Sequence, residues 1–298
     1  MTLLVVGDLN PDLVLSGDVH PLFSQREQLL SSASLLLGGS AAITAAGAAS
    51  LGVRTALCSA TGDDLHGTFC RRALEERGVD VSGVKTVPEP TGLSVILSDS
   101  DDRAILTLTG AIGSLRASDV DFDGVRHVHV ASYFLQPALA LELPDLFARA
   151  RSLGVSTSLD TNWDPAEQWA GVHEVLAHTD VFLPNAAELR AITGIDDLEA
   201  AALSLKTLVV LKDGAAGAKA WWPGGSCAAP GLPVDVVDTT GAGDSFNAGF
   251  LAGYLNGEPL DRCVALAAAA GSLSTRAAGG TVAQATMHEL LSALEAQQ

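Results

Sequence analysis

Short apolar runs alternate along the chain with segments whose apolar residues recur every three or four positions, mostly after residue 40. The first pattern is typical of buried strands and the second of amphipathic helices, and their alternation predicts βαβ units around a mainly parallel sheet. The continuous apolar run Leu208–Leu211 suits a central strand that is covered by helices on both faces. The predicted strands are Leu3–Val6, Thr55–Ser59, Val125–Ala131, Thr157–Asp160, Val181–Pro184, Thr207–Lys212 and Val234–Val237. The predicted helices are Ala41–Leu51, Phe69–Glu76, Pro144–Ser152, Ala187–Thr193, Ser245–Leu255, Asp261–Leu273 and Met287–Ala296.

Two segments depart from this alternation. Leu13–Leu37 is partly polar, whereas Thr91–Thr109 alternates apolar and polar residues. The second pattern predicts a hairpin of exposed strands that turns at Ser98–Asp102. A plain edge hairpin is one interpretation, and a small sheet that covers part of a site is the other.

Composition describes a folded globular protein. The chain has 298 residues, of which 48% are hydrophobic and 17% charged, and this length suits one sizeable α/β domain over residues 1–298. No apolar run approaches the roughly 18 residues of a membrane span, and the N-terminus lacks the features of a secretory signal. The four cysteines form no C-x-x-C pair, which favours free thiols in a reducing compartment. We therefore expect a cytoplasmic protein.

The charge balance restricts the partners. With 35 acidic and 17 basic residues, the formal net charge is −18. Nucleic acids and anionic membranes would be repelled, so neither is expected as a partner. An anionic ligand would have to be held by local hydrogen-bond donors, because the negative electrostatic field of the whole protein opposes its binding.

The sequence DTTGAGDSFNAGF, residues Asp238–Phe250, combines a glycine-rich turn, an acid and the start of an amphipathic helix. Gly241, Ala242 and Gly243 carry almost no side chain, so backbone N–H groups at the helix N-terminus can approach a phosphate closely. Asp244 would repel that phosphate, which is a tolerable cost if the acid accepts a proton from a hydroxyl that attacks the phosphate. The alternative is that Asp244 only caps the helix.

This motif resembles that of the ribokinase family, the PfkB-type carbohydrate kinases, and further motifs of that family follow in the same order along nearly the whole chain. They are GDLNPD with Asn10 and Asp12, Gly38-Gly39, the turn at Gly62–Gly67, Asn185 with Glu188, Lys212-Asp213-Gly214 and Gly279-Gly280. The resemblance implies an α/β fold of three α/β/α layers with a mainly parallel central sheet. It also implies a small β lid, built from segments near 13–37 and 91–110, that supplies the surface of a homodimer.

The resemblance implies an enzyme that transfers a phosphoryl group from Mg-ATP to a sugar hydroxyl, with a role for each matched position. Catalysis would use Asp244 as the general base and Gly241, Ala242 and Gly243 as the backbone anion hole. The sugar would be bound by Asp12, Asn10, Gly38, Gly39 and Asn162. ATP would be bound by Asn185, Lys212, Gly214 and Thr240. Mg²⁺ would be held by Glu188 and Asn185, largely through water, and a K⁺ or Na⁺ ion by Asp238.

Asn185 and Glu188 have a second interpretation. Asn185 as the N-cap and Glu188 three residues later also match a helix capping box, and the two roles are compatible.

Three positions depart from the family pattern. Ile43 and Ile112 stand where the family usually has asparagine, and Asp164 stands where its D-x-N motif is usually followed by arginine. Loss of two amides predicts a less polar acceptor, and absence of the arginine disfavours an acidic or phosphorylated one. We therefore expect phosphorylation of a hydroxymethyl group on a small neutral sugar or polyol.

Two alternatives stay open. A nucleoside kinase of the same fold could place the base of its acceptor against Ile43 or Ile112. A non-catalytic relative that binds nucleotide or sugar is the other alternative. A nicotinamide-binding Rossmann protein is disfavoured, because no G-x-G-x-x-G follows the first predicted strand.

Overall fold

A computed structural model describes residues 2–98 and 103–297. Most of the predicted turn at Ser98–Asp102 lies outside the described residues. The strands are β1 Thr2–Val6, β2 Asn10–Gly17, β3 Leu30–Gly38, β4 Thr55–Gly62, β5 Val84–Val87, β6 Leu93–Ser98, β7 Arg103–Leu108, β8 Val125–Ala131, β9 Ser156–Asp160, β10 Val181–Phe182, β11 Leu208–Lys212, β12 Ala218–Trp222 and β13 Gly225–Ala229. The helices are α1 Ser40–Ser50, α2 Leu65–Glu75, α3 Pro137–Ser152, α4 Val172–Leu176, α5 Ala186–Thr193, α6 Leu198–Ser204, α7 Ala242–Leu255, α8 Leu260–Ser274 and α9 Met287–Ala296.

A nine-stranded sheet forms the centre of the fold, in the order β13-β12-β11-β10-β9-β8-β1-β4-β5. Pairing is parallel from β11 to β5, and the hairpin of β12 and β13 extends one edge in antiparallel fashion. The predicted mainly parallel sheet is therefore confirmed. Its parallel strands all end at the same edge, which decides where a site can form.

Helices cover both faces of this sheet, because successive strand residues point to opposite sides. Leu3 and Val5 of β1 belong to a buried core with α1, α2, α7, α8 and α9. Leu4 and Val6 belong to a second core with α3, α4, α5 and α6. The predicted three layers are therefore present.

A second, four-stranded sheet has the order β3-β2-β6-β7. β6 and β7 pair as an antiparallel hairpin, in agreement with the alternating pattern of Thr91–Thr109, and β2 joins β6 in parallel. The partly polar segment after Leu13 contributes the rest of β2 and β3, which form an antiparallel pair. The role of this sheet as a lid stays a prediction.

The predicted strand Val234–Val237 is wrong. These residues form an irregular segment in which Val236 and Val237 are exposed. The sheet edge on that side is taken by β13, a strand of small residues that lacks an apolar strand pattern, so the apolar run has no strand to pair with. The segment is instead held by the Val237 amide, which donates to the Thr275 carbonyl at 2.8 Å.

We predict that Gly249→Ala destabilises the protein, because α7 and α8 cross closely at this glycine. A Cβ there would lie 2.7 Å from both the Ala270 Cβ and the Leu266 carbonyl oxygen. Overpacking of this kind costs about 1–3 kcal/mol, whereas helix propensity alone would favour alanine by about 1 kcal/mol. Urea unfolding should therefore show a net loss of up to about 2 kcal/mol. Gly113→Ala is the matched control, because no atom lies within 4 Å of its Cβ position; equal stability of the two variants would contradict the prediction.

Candidate active site

Polar side chains lie at the carboxyl ends of five neighbouring parallel strands. Asp8 follows β1, Ser132 follows β8, Asp160 ends β9, Asn185 follows β10 and Lys212 ends β11. Ligands bind at this edge in open α/β sheets, where the strand ends and the loops after them converge. This edge is therefore the candidate site.

The glycine-rich turn before α7 lies at the same edge. Gly241 has a φ of 70°, in the left-handed region that favours glycine, and it is the N-cap of α7, which starts three residues earlier than predicted. The Ala242 amide donates to the Thr239 carbonyl at 3.2 Å, so the prediction that it belongs to the anion hole is not supported. The Gly241 and Gly243 amides donate to no acceptor among the described residues. Two amides and the positive end of α7 can therefore meet an anion.

Ile43 packs behind this turn. A Cβ at Gly241 would lie 3.0 Å from Ile43 Cγ2 and 2.6 Å from Gly280 Cα, and a Cβ at Gly280 would lie 2.5 Å from Ile43 Cδ1. The isoleucine therefore supports the glycine turn from the back. Its departure from the family asparagine affects the anion hole at least as directly as it affects the acceptor.

Asp244 lies in the first turn of α7 and its side chain is buried, with 8% exposed. Its carboxylate accepts a hydrogen bond from the Ser40 hydroxyl at the start of α1. Burial and the charge of Asp160 raise the pKa of Asp244 to about 8, against the opposing effects of Ser40 and Lys212. Because the N-cap is Gly241, the capping interpretation of Asp244 loses its basis. A carboxylate with a pKa near neutrality suits a proton acceptor.

A buried ion pair lies beside this turn. Lys212 Nζ is 2.6 Å from Asp160 Oδ2, and the same oxygen accepts from Asn247 Nδ2 at 2.6 Å. Burial opposes the charge of Lys212, but Asp160 and Glu188 outweigh it and raise the pKa of the ammonium. Burial likewise opposes the charge of Asp160, and Lys212 outweighs it and lowers the pKa of that carboxyl. Both members are therefore charged at neutral pH.

The predicted acceptor residues Asn10, Asp12, Gly38 and Gly39 lie together. Asn10 Nδ2 donates to Asp12 Oδ1 at 3.2 Å. A Cβ at Gly38 would lie 2.0 Å from Asp12 Oδ1, so the carboxylate can lie against the backbone only where the residue is glycine. Gly39 has a φ of 87°, and a Cβ there would lie 2.8 Å from the Asp8 carbonyl oxygen. The di-glycine thus joins two acidic residues to the start of α1.

Asn162 joins the ends of β8 and β9. Its Oδ1 accepts from the Ser132 amide at 2.8 Å, and both residues have a φ of 54°, which is uncommon outside glycine. Asn162 Nδ2 makes no hydrogen bond to another described residue. The amide nitrogen is therefore the part of this side chain that could meet an acceptor.

Asn185 and Glu188 form the capping box that the sequence predicts. Asn185 Oδ1 accepts from the Glu188 amide at 2.9 Å, and Glu188 Oε2 accepts from the Asn185 amide at 2.8 Å. Burial raises the pKa of Glu188, against the opposing effect of Lys212. Among the described residues, no three carboxylate, histidine or cysteine side chains form a group that could hold a metal. A Mg²⁺ here would need most of its ligands from water or a nucleotide.

A cavity of about 560 Å³ opens in front of the glycine turn. Its walls are largely apolar and come from residues 231–234, Val236, α7 and α8, and the lining includes Lys212, Gly214 and Gly243. Thr239 lines the cavity, whereas the neighbouring Thr240 donates through its hydroxyl to Asp238 Oδ1 at 2.7 Å. Shape and lining suit a planar group with an attached phosphate.

Asp238 connects two loops of the site. Its Oδ1 accepts from the Thr240 amide at 2.9 Å, and its Oδ2 accepts from the Gly279 amide at 2.8 Å. The carboxylate thus ties the glycine turn to the loop after α8, where the sequence predicted a monovalent cation.

The other two departures from the family pattern have structural roles. Asp164 is buried and accepts from the amides of Ala166, Gln168 and Trp169 at 2.7–2.9 Å, so it caps its own loop. Ile112 is buried, and its Cδ1 would lie 2.7 Å from a Cβ at Gly92.

Sequence reasoning missed three side chains that form contacts within this cluster. Ser40 binds Asp244, Asn247 binds Asp160, and Asp8 accepts from the Ser40 and Ala41 amides at 3.0 and 2.9 Å. The spacing of three residues between Asp244 and Asn247 was a signal for a shared helix face. The other two contacts join segments far apart in sequence, and no local pattern marks them.

The chain is similar to several known proteins. The family model described as pfkB family carbohydrate kinase matches residues 2–287. An ATP-dependent ribose-1-phosphate kinase of Halopiger xanaduensis is 35% identical over 91% of this chain and 90% of its own length. A ribokinase of Haemophilus influenzae is 29% identical over 99% of this chain and 98% of its own length. The structure of Arabidopsis thaliana ribokinase complexed with ribose and ATP is 26% identical, covers 99% of this chain and 98% of that one, and superposes with a TM-score of 0.87.

We predict that Asp244→Asn stabilises the protein increasingly as the pH rises. The pKa of Asp244 is about 8 in the folded state, above the ordinary value of 3.8. Between these two pH values the unfolded state releases a proton that the folded state keeps, so the free energy of unfolding falls progressively as the pH rises. Asparagine keeps the shape and cannot ionise. Urea unfolding should show a gain for the variant that grows by at least about 2 kcal/mol from pH 4 to pH 8.

Asp64 is the control of opposite sign for this experiment. Burial opposes its charge, but hydrogen bonds from the Gly67 and Thr91 amides outweigh burial and lower the pKa of Asp64. Asp64→Asn should therefore cost stability above pH 4, with little further change up to pH 8. A pH-independent difference for Asp244→Asn would contradict the assigned ionisation.

Proposed function

Because the chain belongs to the pfkB family of carbohydrate kinases, we propose that it transfers the terminal phosphoryl group of Mg-ATP to a hydroxymethyl group of a small neutral sugar or polyol. One observation carries the assignment of the reacting residues. Asp244 lies between the glycine turn that borders the apolar cavity and the di-glycine loop beside Asp12, where donor and acceptor would meet.

Asp244 is proposed as the general base. Its carboxylate would take the proton of the acceptor hydroxyl as the oxygen attacks the phosphoryl group. Since the raised pKa leaves most of the Asp244 carboxyl groups protonated at pH 7, turnover should rise with pH through a midpoint near 8. The Gly241 and Gly243 amides are proposed to bind the negative charge of the phosphoryl group in transfer.

Mg-ATP fits the residues at this edge. The apolar cavity is proposed to hold the adenine, with Lys212, Gly214 and Asn185 near the phosphates and Thr240 supporting the turn through Asp238. Glu188 and Asn185 supply the oxygen donors that Mg²⁺ prefers, and a bound Mg²⁺ would offset charge on the phosphates. K⁺ or Na⁺ is proposed beside Asp238, which already ties the two surrounding loops together.

The acceptor side favours a neutral compound. Asp8, Asp12 and Asp244 make this part of the site acidic, and the Asp164 carboxylate is occupied with its own loop. Asp12, Asn10 and Asn162 Nδ2 are proposed to bind hydroxyl groups, with Gly38 and Gly39 allowing a close approach of the ring. The ribose-1-phosphate kinase relative favours a phosphorylated sugar as the second candidate.

Release of ADP tests the acceptor class. Neutral sugars, polyols, nucleosides, ribose 1-phosphate and other sugar phosphates would be compared with Mg²⁺ and either K⁺ or Na⁺. We expect the highest kcat/KM with a neutral sugar or polyol. Turnover confined to sugar phosphates or to nucleosides would overturn the neutral acceptor, and ATP binding without turnover of any acceptor would favour the non-catalytic alternative.

We predict that Asp244→Asn lowers kcat by a factor of about 10²–10⁴ while the Kd of ATP changes little, because the variant keeps the binding surface and loses the base. Steady-state kinetics and calorimetric titration with ATP measure the two quantities. Asp145→Asn, an exposed acid on α3, is the control and should keep full turnover. Comparable turnover in the Asp244 variant would remove this residue from the role of base.

The second sheet is proposed to cover the acceptor and to form a homodimer interface. Its edge strands β3 and β7 have no further strand beside them among the described residues, and β7 exposes Leu106 and Leu108 by 61% and 54%. Unpaired strand edges with exposed apolar side chains are typical of association surfaces.

We predict a dimer of two 30.5 kDa chains that the double variant Leu106→Glu/Leu108→Glu converts to a monomer, because charge on this face opposes burial. Light scattering after size exclusion gives the mass. Leu141→Glu on α3, at a side chain that is 87% exposed, is the control and should leave the dimer intact. A monomeric wild type, or dissociation of the control, would contradict the proposed interface.

A cytoplasmic location is also proposed. Its support is the set of cysteines at positions 58, 70, 227 and 263, all of them free thiols. Within residues 2–98 and 103–297, no helix has both the length and the apolar character that crossing a bilayer requires.

A further inference from the structure

A buried ion pair joins the candidate nucleotide cavity to the candidate base. Asp160 is fully buried at the end of β9, and two residues from other elements, Lys212 of β11 and Asn247 of α7, bond to its Oδ2 at 2.6 Å each. We propose that Asp160 is a positioning residue of the phosphotransfer site, which fixes α7 against the sheet and holds the Lys212 ammonium beside Gly243. This inference rests on the proposed function, since it gives Asp160 a role in phosphoryl transfer.

The contact with α7 fixes the rotation of that helix. Asn247 follows Asp244 by three residues, so both side chains lie on the same face of α7. Asn247 is fully buried and donates to a charged acceptor, which makes this hydrogen bond stronger than a neutral one. Because rotation of α7 would also turn the Asp244 carboxylate and the Gly243 amide, the bond to Asp160 holds both groups in their directions.

The contact with Lys212 places a positive charge at the anion hole. A Cβ at Gly243 would lie 3.4 Å from Lys212 Cδ and 3.7 Å from Nζ, so the side chain runs along the backbone of the turn. An ammonium has three donors, and the bond to Asp160 uses one of them. A phosphate at the turn can therefore accept from Lys212 while Asp160 keeps the ammonium in place. A local cation matters because the net charge of the protein is −18.

The two charges of the pair act on Asp244 with opposite sign. Four side chains act on the ionisation of that carboxylate: Ser40 on α1 through a hydrogen bond, and Asp8 after β1, Asp160 on β9 and Lys212 on β11 through their charges. Burial raises the pKa of Asp244, the charges of Asp160 and Asp8 add to the rise, and Ser40 and Lys212 oppose it. Removal of the Asp160 charge should therefore make Asp244 more acidic, and removal of the Lys212 charge should make it less acidic.

The test measures the ionisation of Asp244 without any turnover. The free energy of unfolding is measured between pH 4 and pH 10 for the wild type and for each ion-pair variant, once with Asp244 and once with Asp244→Asn. The gain in stability from Asp244→Asn levels off at the pH that equals the folded-state pKa of Asp244. We call this pH the Asp244 midpoint. We expect the Asp244 midpoint to fall by about one pH unit in Asp160→Asn and to rise by about one pH unit in Lys212→Met. In the double variant the two shifts should offset each other.

Lys212→Met leaves Asp160 buried without its partner and could prevent folding. In that case two other proteins still test the inference. The Asp244 midpoint should be lowered in Asp160→Asn and should lie near the wild-type value in the double variant. In the active enzyme, the midpoint of kcat against pH should move with the same sign, and kcat of Asp160→Asn should fall at least about tenfold.

Lys85 and Asp119 provide a matched control pair, since Nζ and Oδ2 are also 2.6 Å apart but both side chains are partly exposed. Lys85→Met and Asp119→Asn should leave the Asp244 midpoint unchanged. Equal midpoints in all backgrounds, or shifts of the same sign for both members of the buried pair, would overturn the inference even in an active kinase. Absence of turnover with every acceptor would overturn the proposed function, and the unfolding result would still decide the role of the ion pair in Asp244 ionisation.

Discussion

The burial of one carboxylate between the starts of two helices is the constraint on which this site depends. Asp244 at the start of α7 faces Ser40 at the start of α1, and the Thr44 hydroxyl of α1 also donates to the Asp244 carbonyl at 3.4 Å. Removing a carboxylate from water costs several kcal/mol unless partners compensate. The Ser40 hydrogen bond compensates only in part, so the carboxyl holds its proton more tightly. The same burial that destabilises the ionised form brings the pKa of Asp244 close to neutral pH, the range that suits the proposed general base.

Local charge and overall charge oppose each other in this protein. The formal net charge of −18 disfavours the binding of a nucleotide, and four acids, Asp8, Asp12, Asp160 and Asp244, lie near the carboxyl edge of the sheet. The glycine turn provides two backbone amides and a helix N-terminus, which attract an anion although they carry no formal charge and need no counterion. The nearby Lys212 keeps its charge because Asp160 and Glu188 surround it. Acidic neighbours thus sustain the charge of Lys212, which lies against the turn.

Backbone proximity explains both the glycines and one of the departures from the family pattern. Gly38 lies directly against the Asp12 carboxylate, and Gly241 and Gly280 touch each other with Ile43 behind them. A side chain at any of these glycines would separate segments that must be in contact. Ile43 fills the space behind the turn. Asp164 is different, because its three backbone hydrogen bonds give it a structural purpose that an arginine could not serve.

The sequence by itself determined the layered α/β architecture and the hairpin of β6 and β7, and it pointed to Asn185 and Lys212 at the carboxyl edge. Apolar periodicity and glycine motifs are local properties, so they could be recognised without coordinates. The strand prediction from sequence failed at Val234–Val237, because an apolar run does not reveal whether a neighbouring strand exists. Only the tertiary structure decided that Ser40 contacts Asp244 and that Asn247 and Lys212 share one oxygen of Asp160. These facts depend on distances between segments up to about two hundred residues apart, and such distances are fixed by packing of the whole fold rather than by any local pattern.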